Sequence, residues 1–397
     1  MTSRVKYAVL FIILLAVAAG ALWLYLSRPV HWPVVVSCTE TRSQPVAELA
    51  QNTLVYRARV AQRHVDIFVL SADGRCVNIT NTPDILELKL HVAANGRILA
   101  FEGIDRTKQL QAIGILDCRD KTCLMIDTGG YKASLPRVNP TGELVAFRVN
   151  KKGFLQVWLY NVAQKKVITR VGFKGNNCFP TRFSPDGRYL LWIKTHPRKN
   201  KSRDIWRLDC ETLESERLLA GNGMRHSKPI YINDREILYS SNTISAEHND
   251  RGLFIFDCDS HTSRPYLSQA GYVFHPYLAA GPLACVAYYV NTVEDVHVKD
   301  SIPKPQLMRR ILYNQNNYRI LDLASAETIH DMFDCAGGDF NAAADLFCYV
   351  KLVRKQGMQL YLVRLADTEE ILLPPKMETY PDYPRFYRAK GFSPYWE

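Results

Sequence analysis

A ten-residue pattern returns along this chain at a nearly constant interval, and few architectures can accommodate it. Its clearest copy is Phe183-Ser184-Pro185-Asp186-Gly187-Arg188-Tyr189-Leu190-Leu191-Trp192. Proline presets φ for a tight turn, Asp bonds to its local backbone, and Gly takes the positive φ that other residues resist. The apolar run behind the turn reads as a strand buried on both faces. Residues 92–101, 138–147 and 340–349 align with this copy without a gap, and looser copies occupy 229–239 and 276–288. Val92 and Val138 stand 46 positions apart, and Val138 and Phe183 stand 45 apart. Repeats of about 40 to 50 residues, each made of several short strands, are the mark of propeller blades.

A second signature follows each copy: a β-rich stretch, most often closed by an acidic or amide residue. Residues 66–70, 113–117, 156–161, 204–209, 253–257, 318–322 and 359–363 carry it. A polar turn and another strand come next, which makes four strands per unit. At the N-terminal end, residues 53–60 and 66–70 lack a first strand, whereas Tyr383-Pro384-Arg385-Phe386-Tyr387 is a first strand with nothing after it. The two pieces complement each other and predict a closed ring, which removes sheet edges. The expected fold is therefore all-β, a seven-bladed β-propeller over residues 52–388 with a tail at 389–397. Six blades is the alternative if the ends do not pair.

The turn at 183–192, with Asp204-Ile205-Trp206-Arg207-Leu208-Asp209 behind it, resembles the PD40 (WD40-like) β-propeller repeat of TolB and its relatives. The resemblance implies the propeller fold. TolB carries a small α/β domain ahead of a six-bladed propeller; this chain shows no such stretch and counts one blade more, so the resemblance implies no shared partner.

Ahead of the repeats, residues 7–26 are uncharged and long enough to cross a bilayer. Arg4 and Lys6 precede them and place the N-terminus on the cytoplasmic side. Residues 1–29 are thus expected to be a transmembrane anchor, with a cleaved signal peptide as the alternative because small residues occupy 16–21. Residues 30–51 read as a linker without helical or strand period. The expected location is the inner (cytoplasmic) membrane, single-pass, with the propeller on the periplasmic side.

The chain has ten cysteines. Cys118, Cys210 and Cys258 each follow an Asp at the end of a third strand, where a small buried residue fits. Cys118 and Cys123 flank a short turn and are the pair placed to bridge in an oxidising compartment. No Cys-x-x-Cys exists to support a zinc ribbon or redox motif.

The formal charge of +11 is unevenly spread. In standard propeller order, the face opposite the Pro-Asp-Gly turns collects Arg106, Lys108, Lys151, Lys152, Arg198, Lys199, Lys201, Arg203, Arg225 and Lys228. These are either solvated loops or a docking face for a protein or an anionic envelope component. Nucleic acid is excluded by the absence of a recognition module. The longest insertion, 291–317, joins the same face. Of ten histidines none forms a compact ligand pair, although His91, His226 and His275 sit near first-strand entries and are the candidates for a metal in the channel. Gly-x-Ser-x-Gly, the nucleophile elbow of propeller-bearing peptidases, is absent. No catalytic motif and no cofactor is expected. Two functions follow: a membrane-anchored, non-enzymatic binding or scaffold protein acting through the basic face, or a metal-dependent lyase or other enzyme acting on an acidic saccharide in the channel.

Overall fold

The computed structural model describes residues 31–34, 39–42, 45, 47, 53–61, 64–196, 202–242, 251–269, 272–290, 316–341, 343–353, 357–373 and 395–396. Its regular structure begins at the turns. The Gly187 amide donates to Ser184 O at 2.9 Å, and Gly187 sits at φ +80°. Ser184 Oγ accepts from the Tyr189 amide at 2.9 Å, and Asn139 and Asn341 do the same for Leu144 (2.9 Å) and Leu346 (3.0 Å). The first turn residue therefore aims the next strand back along the one before it.

Antiparallel units follow one another along the chain. The first complete one is Ile85–Val92, Ile98–Asp105, Leu110–Asp117 and Thr122–Ile126. The next two are Ala133–Val138, Leu144–Lys151, Phe154–Asn161, Lys166–Val171, then Asn177–Phe183, Tyr189–Thr195, Arg203–Asp209, Ser215–Leu219. Ser227–Tyr231, Glu236–Asn242, Arg251–Asp257 and Thr262–Leu267 come after them. Tyr272–Ala280, Leu283–Val290 and Asn316–Asp322 share the long strand Thr328–Phe340 with Leu346–Val353, Gly357–Arg364 and Glu369–Leu372. The two sequence signatures meet in a repeated ion pair between turn and third strand. Arg97 reaches Asp117 at 2.7 Å, Arg188 reaches Asp209 at 3.1 Å, and Arg235 reaches Asp257 at 2.8 Å.

The second strand of each unit alternates between two neighbours. Leu190 and Trp192 pack with Ala146 and Leu159 of the preceding unit, and Leu191 packs with Ile237 and Tyr239 of the following one. Full burial of such a side chain contributes about 1.5–3 kcal/mol. Leu54, Tyr56 and Leu70 pack against Cys348, Leu360 and Leu362, so the last unit of the chain meets the first. Tyr395–Trp396 pairs antiparallel with Leu54 and Val55 as the innermost strand of the N-terminal unit. The expected C-terminal tail thus supplies a closing strand, while 383–387 and the expected anchor at 1–29 lie outside the described residues.

Two short strands are described within 30–51, the stretch expected to be a linker. His31–Val34 pairs with Cys123 to Ile126, and Thr39–Arg42 pairs with Arg75–Asn78, each as an added outer strand. An outermost strand leaves a row of backbone donors and acceptors open. Backbone pairing alone recruits a partner there, without the side-chain period that a sequence reading looks for. No disulfide joins Cys118 and Cys123, against the expected bridge. Cys123 lies opposite Leu116 and is buried, while Cys118 follows the strand's end and its amide donates to Arg97 O.

One irregularity recurs in the inner strands. Register slips between Leu88 and His91, Ser134 and Arg137, Pro180 and Phe183, Ser227 and Ile230, Pro276 and Leu278, and Cys335 and Gly338. Lys89, Leu135 and Lys228 take positive φ there. Such bulges bend a strand and re-aim the residues after it. The residues so re-aimed line the axis.

Candidate functional site

The two ends of the axis differ. Opposite the turns, Arg203 opens a third strand; it forms an isolated parallel bridge with Arg225, and its amide donates to Met224 O at 3.1 Å. Arg251 opens the third strand of the next unit, with Nη1 3.4 Å from Ser227 Oγ. Lys228 stands exposed at the bulge beside them. His275 Nδ1 lies 3.0 Å from Ser240 Oγ and 3.4 Å from Ser227 Oγ. Burial, then the charges of Lys228, Arg251 and Arg203, push His275 down to about 2, which leaves the imidazole neutral. Burial followed by Arg251 and Arg225 lowers Arg203 as well, and its buried Nε has no hydrogen-bond partner among the described residues. Cations gathered this closely repel one another, and an anion brought among them relieves that repulsion. The exposed side chains of Phe173, Met224 and Phe333 lie toward the same end.

Of the expected basic residues, Arg203, Arg225 and Lys228 come together here. Lys151 and Lys152 form a separate turn in the 133–171 unit, with Lys151 Nζ 6.0 Å over the Tyr131 ring. Arg198, Lys199 and Lys201 lie outside the described residues. Arg251 was missed, although a signal existed: Arg203 and Arg251 occupy the same repeat position, each six residues before the strand-closing Asp209 and Asp257.

The three histidines do not converge. His226 Nε2 donates to Ala220 O at 3.1 Å and its Nδ1 accepts from Ser241 Oγ at 3.0 Å. Burial lowers it, so it is a neutral, buried side chain between sheets. His275 belongs to the basic end and His91 to the other. Among the described residues, no group of three or more His, Cys, Asp or Glu side chains could hold a metal ion.

At the turn end the axis opens into a cavity of about 380 Å³. Successive inner strands contribute His91, Val138, Arg182, Ile230, Leu278 and Asp339. His91 Nδ1 lies 3.1 Å from the Val138 amide and its Nε2 lies 2.9 Å from Arg182 Nη1; both neighbours are donors, and the neutral ring accepts from one of them. Burial, then Arg182 and Arg137, hold His91 well below the usual imidazole range. The Phe340 amide donates to Asp339 Oδ1 at 3.0 Å. Burial raises Asp339 to about 7, against the opposing pull of Arg182.

This architecture defines a β-propeller protein. No family model and no curated protein matches the sequence. Solved structures do. An oligogalacturonate lyase in complex with manganese matches at 13% identity and TM-score 0.57, over 87% of this chain and 85% of that one. A prolyl endopeptidase matches at 11% identity and TM-score 0.59; 85% of this chain is covered, but only 49% of the other. The β-propeller domain of the Trilobed protease from Pyrococcus furiosus, described as having an open velcro topology, matches at 14% identity and TM-score 0.51, over 72% and 84%. TolB structures are also among the matches, at TM-scores of 0.41 and 0.43. At these identities the likeness shows the fold.

Proposed function

We propose that this chain is a membrane-anchored cell-envelope propeller of seven blades that binds an acidic protein partner through the face opposite its turns. The observation that carries the reading is the convergence of Arg203, Arg225, Lys228 and Arg251 at one end of the axis. Exposed Phe173, Met224 and Phe333 toward the same end favour a protein partner over a free anion, because interface cores are enriched in Arg, Met and aromatic residues. The seven-blade count is supported by the packing of the last unit on the first and by the inner pairing of Tyr395–Trp396. The anchor rests on the uncharged stretch 7–26 behind Arg4 and Lys6, with the propeller on the periplasmic side.

The test is photo-crosslinking in cells from position 228, comparing the wild type with an Arg203→Ser, Arg251→Ser double variant. A discrete crosslinked protein that disappears in the variant, and that weakens with added salt in isolated membranes, is the expected result. Undiminished crosslinking in the variant would count against the basic face. The enzymatic alternative has its own check. Stoichiometric transition metal in the purified full chain, lost when His91, His226 and His275 are all changed to Ala, would replace binding with metal-dependent lyase chemistry on an acidic saccharide.

A further inference from the structure

Fourth strands form the rim of the ring, with one edge turned outward from their own unit. In the first two units these edges are taken: His31–Val34 lies antiparallel along Thr122–Ile126, and Thr39–Arg42 along Arg75–Asn78. The rim of this fold thus accepts a fifth strand held by backbone pairing. The next unit ends in Lys166–Val171, six residues long against five and four in the two covered strands. Among the described residues it pairs only with Phe154–Asn161. An edge of this kind offers a row of backbone donors and acceptors to a further strand.

The side chains of this edge suit one sort of strand. Val167, Ile168, Thr169 and Val171 favour extended backbone, and no proline or acidic residue interrupts the run. Lys166 and Arg170 stand exposed. Arg170 rests 4.5 Å over the Trp158 ring, and no carboxylate among the described residues pairs with either cation. Two copies of the edge would bring like charges together, which disfavours self-pairing. Other rim strands are less suited. Thr262–Leu267 contains the exposed Pro265, which lacks a ladder donor, Ser215–Leu219 sets Glu216 beside Arg217, and Glu369–Leu372 opens on two acids. Beside Lys166–Val171 runs a groove of about 450 Å³, walled by Lys166, Val167 and Ile168 on one side and by Cys210, Glu211 and Leu213 of the next unit on the other. In strand addition, backbone pairing supplies affinity and a pocket for an alternate side chain supplies specificity.

We infer that Lys166–Val171 is a docking edge for an extended acidic segment of a partner protein, added as an antiparallel fifth strand. The segment sets an apolar side chain into the groove beside Ile168 and Leu213 and places carboxylates against Lys166 and Arg170. Antiparallel addition follows the two strands that already cover the rim. The edge lies on the rim, apart from the basic face, so it stands independently of the function proposed above.

Calorimetric titration of the full chain carrying Arg203→Ser and Arg251→Ser, which removes competition from the basic face, tests the edge with end-blocked heptapeptides. Glu-Thr-Glu-Leu-Glu-Thr-Glu is the acidic strand, Lys-Thr-Lys-Leu-Lys-Thr-Lys reverses its charge, and Glu-Pro-Glu-Leu-Glu-Pro-Glu keeps the charge but loses two backbone donors. The acidic strand is expected to bind at least roughly tenfold more tightly than either of the others. Adding Lys166→Glu and Arg170→Glu should exchange the preference, so that the lysine peptide binds and the acidic one does not, a gain that misfolding cannot imitate. Equal binding of the proline peptide, acidic-peptide binding that survives the charge reversal, or no binding at millimolar concentration would each overturn the edge. Binding seen only when Arg203 and Arg251 are intact would overturn the edge while supporting the basic face, so the two readings fail separately.

Discussion

Ala344 occupies the turn position held by Gly96, Gly142 and Gly187 in the aligned copies, and it keeps the left-handed backbone, at φ +56°. Its amide makes the same turn bond, to Asn341 O at 3.0 Å. A Cβ in this region costs about 1–2 kcal/mol, against roughly 0.5–1 kcal/mol of extra backbone entropy lost by glycine. Ala344→Gly is therefore expected to stabilise the chain by about 0.5–1 kcal/mol in urea denaturation; a loss of stability would show the turn relaxed by other means. Asp339 offers a second test at this scale. Burial raises it to about 7, whereas an unfolded Asp titrates near 4. Between those values the folded state binds more protons than the unfolded one, so stability falls as pH rises through the window and its full benefit is present only below about 4. Asp339→Asn should remove this slope. Parallel melting curves for wild type and variant from pH 4 to 7 would refute the assignment.

The repeated unit is held by a device that joins its two ends. Asp209 Oδ1 accepts from the Glu211 and Thr212 amides at 2.9 and 3.1 Å, and Oδ2 takes the Arg188 guanidinium. Burial opposes ionisation, but these donors outweigh it and hold the carboxyl below its usual range. Asp209→Ala should cost about 1 kcal/mol at pH 7, mostly from the two amides, since the exposed ion pair adds little. A depressed carboxyl stabilises above its unfolded pKa, so the gap between wild type and variant should close as pH falls below about 4. A gap that persists at pH 2 would argue for a packing effect. Within the 85–126 unit, Gly114 lies under the Phe101 ring, where an added Cβ would come within 2.2 Å of it. Gly114→Ala is expected to destabilise by about 1–3 kcal/mol through overpacking, read from the urea midpoint; a neutral effect would mean the ring can swing aside. Turns and third strands were legible in the sequence because their signals are local: Pro-Asp-Gly, an apolar run, a closing acid. The inner-strand bulges were not, because a slip such as that between Leu88 and His91 is defined by the partner strand.

The ring closes through both packing and pairing. Leu360, fully buried between the first and last units, is expected to cost about 2–5 kcal/mol when changed to Ala. Removal of residues 395–397 should speed amide exchange at Leu54 and Val55, whose strand loses its inner partner; unchanged protection there would mean that packing alone seals the ring. For the site, the sequence singled out Arg203, Arg225 and Lys228 by face, yet Arg251 joined them only when neighbouring units were set side by side. The histidines show the same limit. His91, His226 and His275 all stand in or beside inner strands, but His226 precedes its strand, His275 lies ahead of its bulge and His91 behind its own, so their surroundings differ. By itself, the sequence determined the all-β class, the period, the turn chemistry and the need for the ends to meet, since these rest on spacing and on residues close in the chain. Tertiary structure alone decided that 31–34 and 39–42 pair as outer strands, that Cys118 and Cys123 are not bridged, and that Arg182, His91 and Asp339 share one cavity. The cavity depends on which strands become neighbours around the axis, a relation between residues 91 to 248 positions apart that no local pattern encodes.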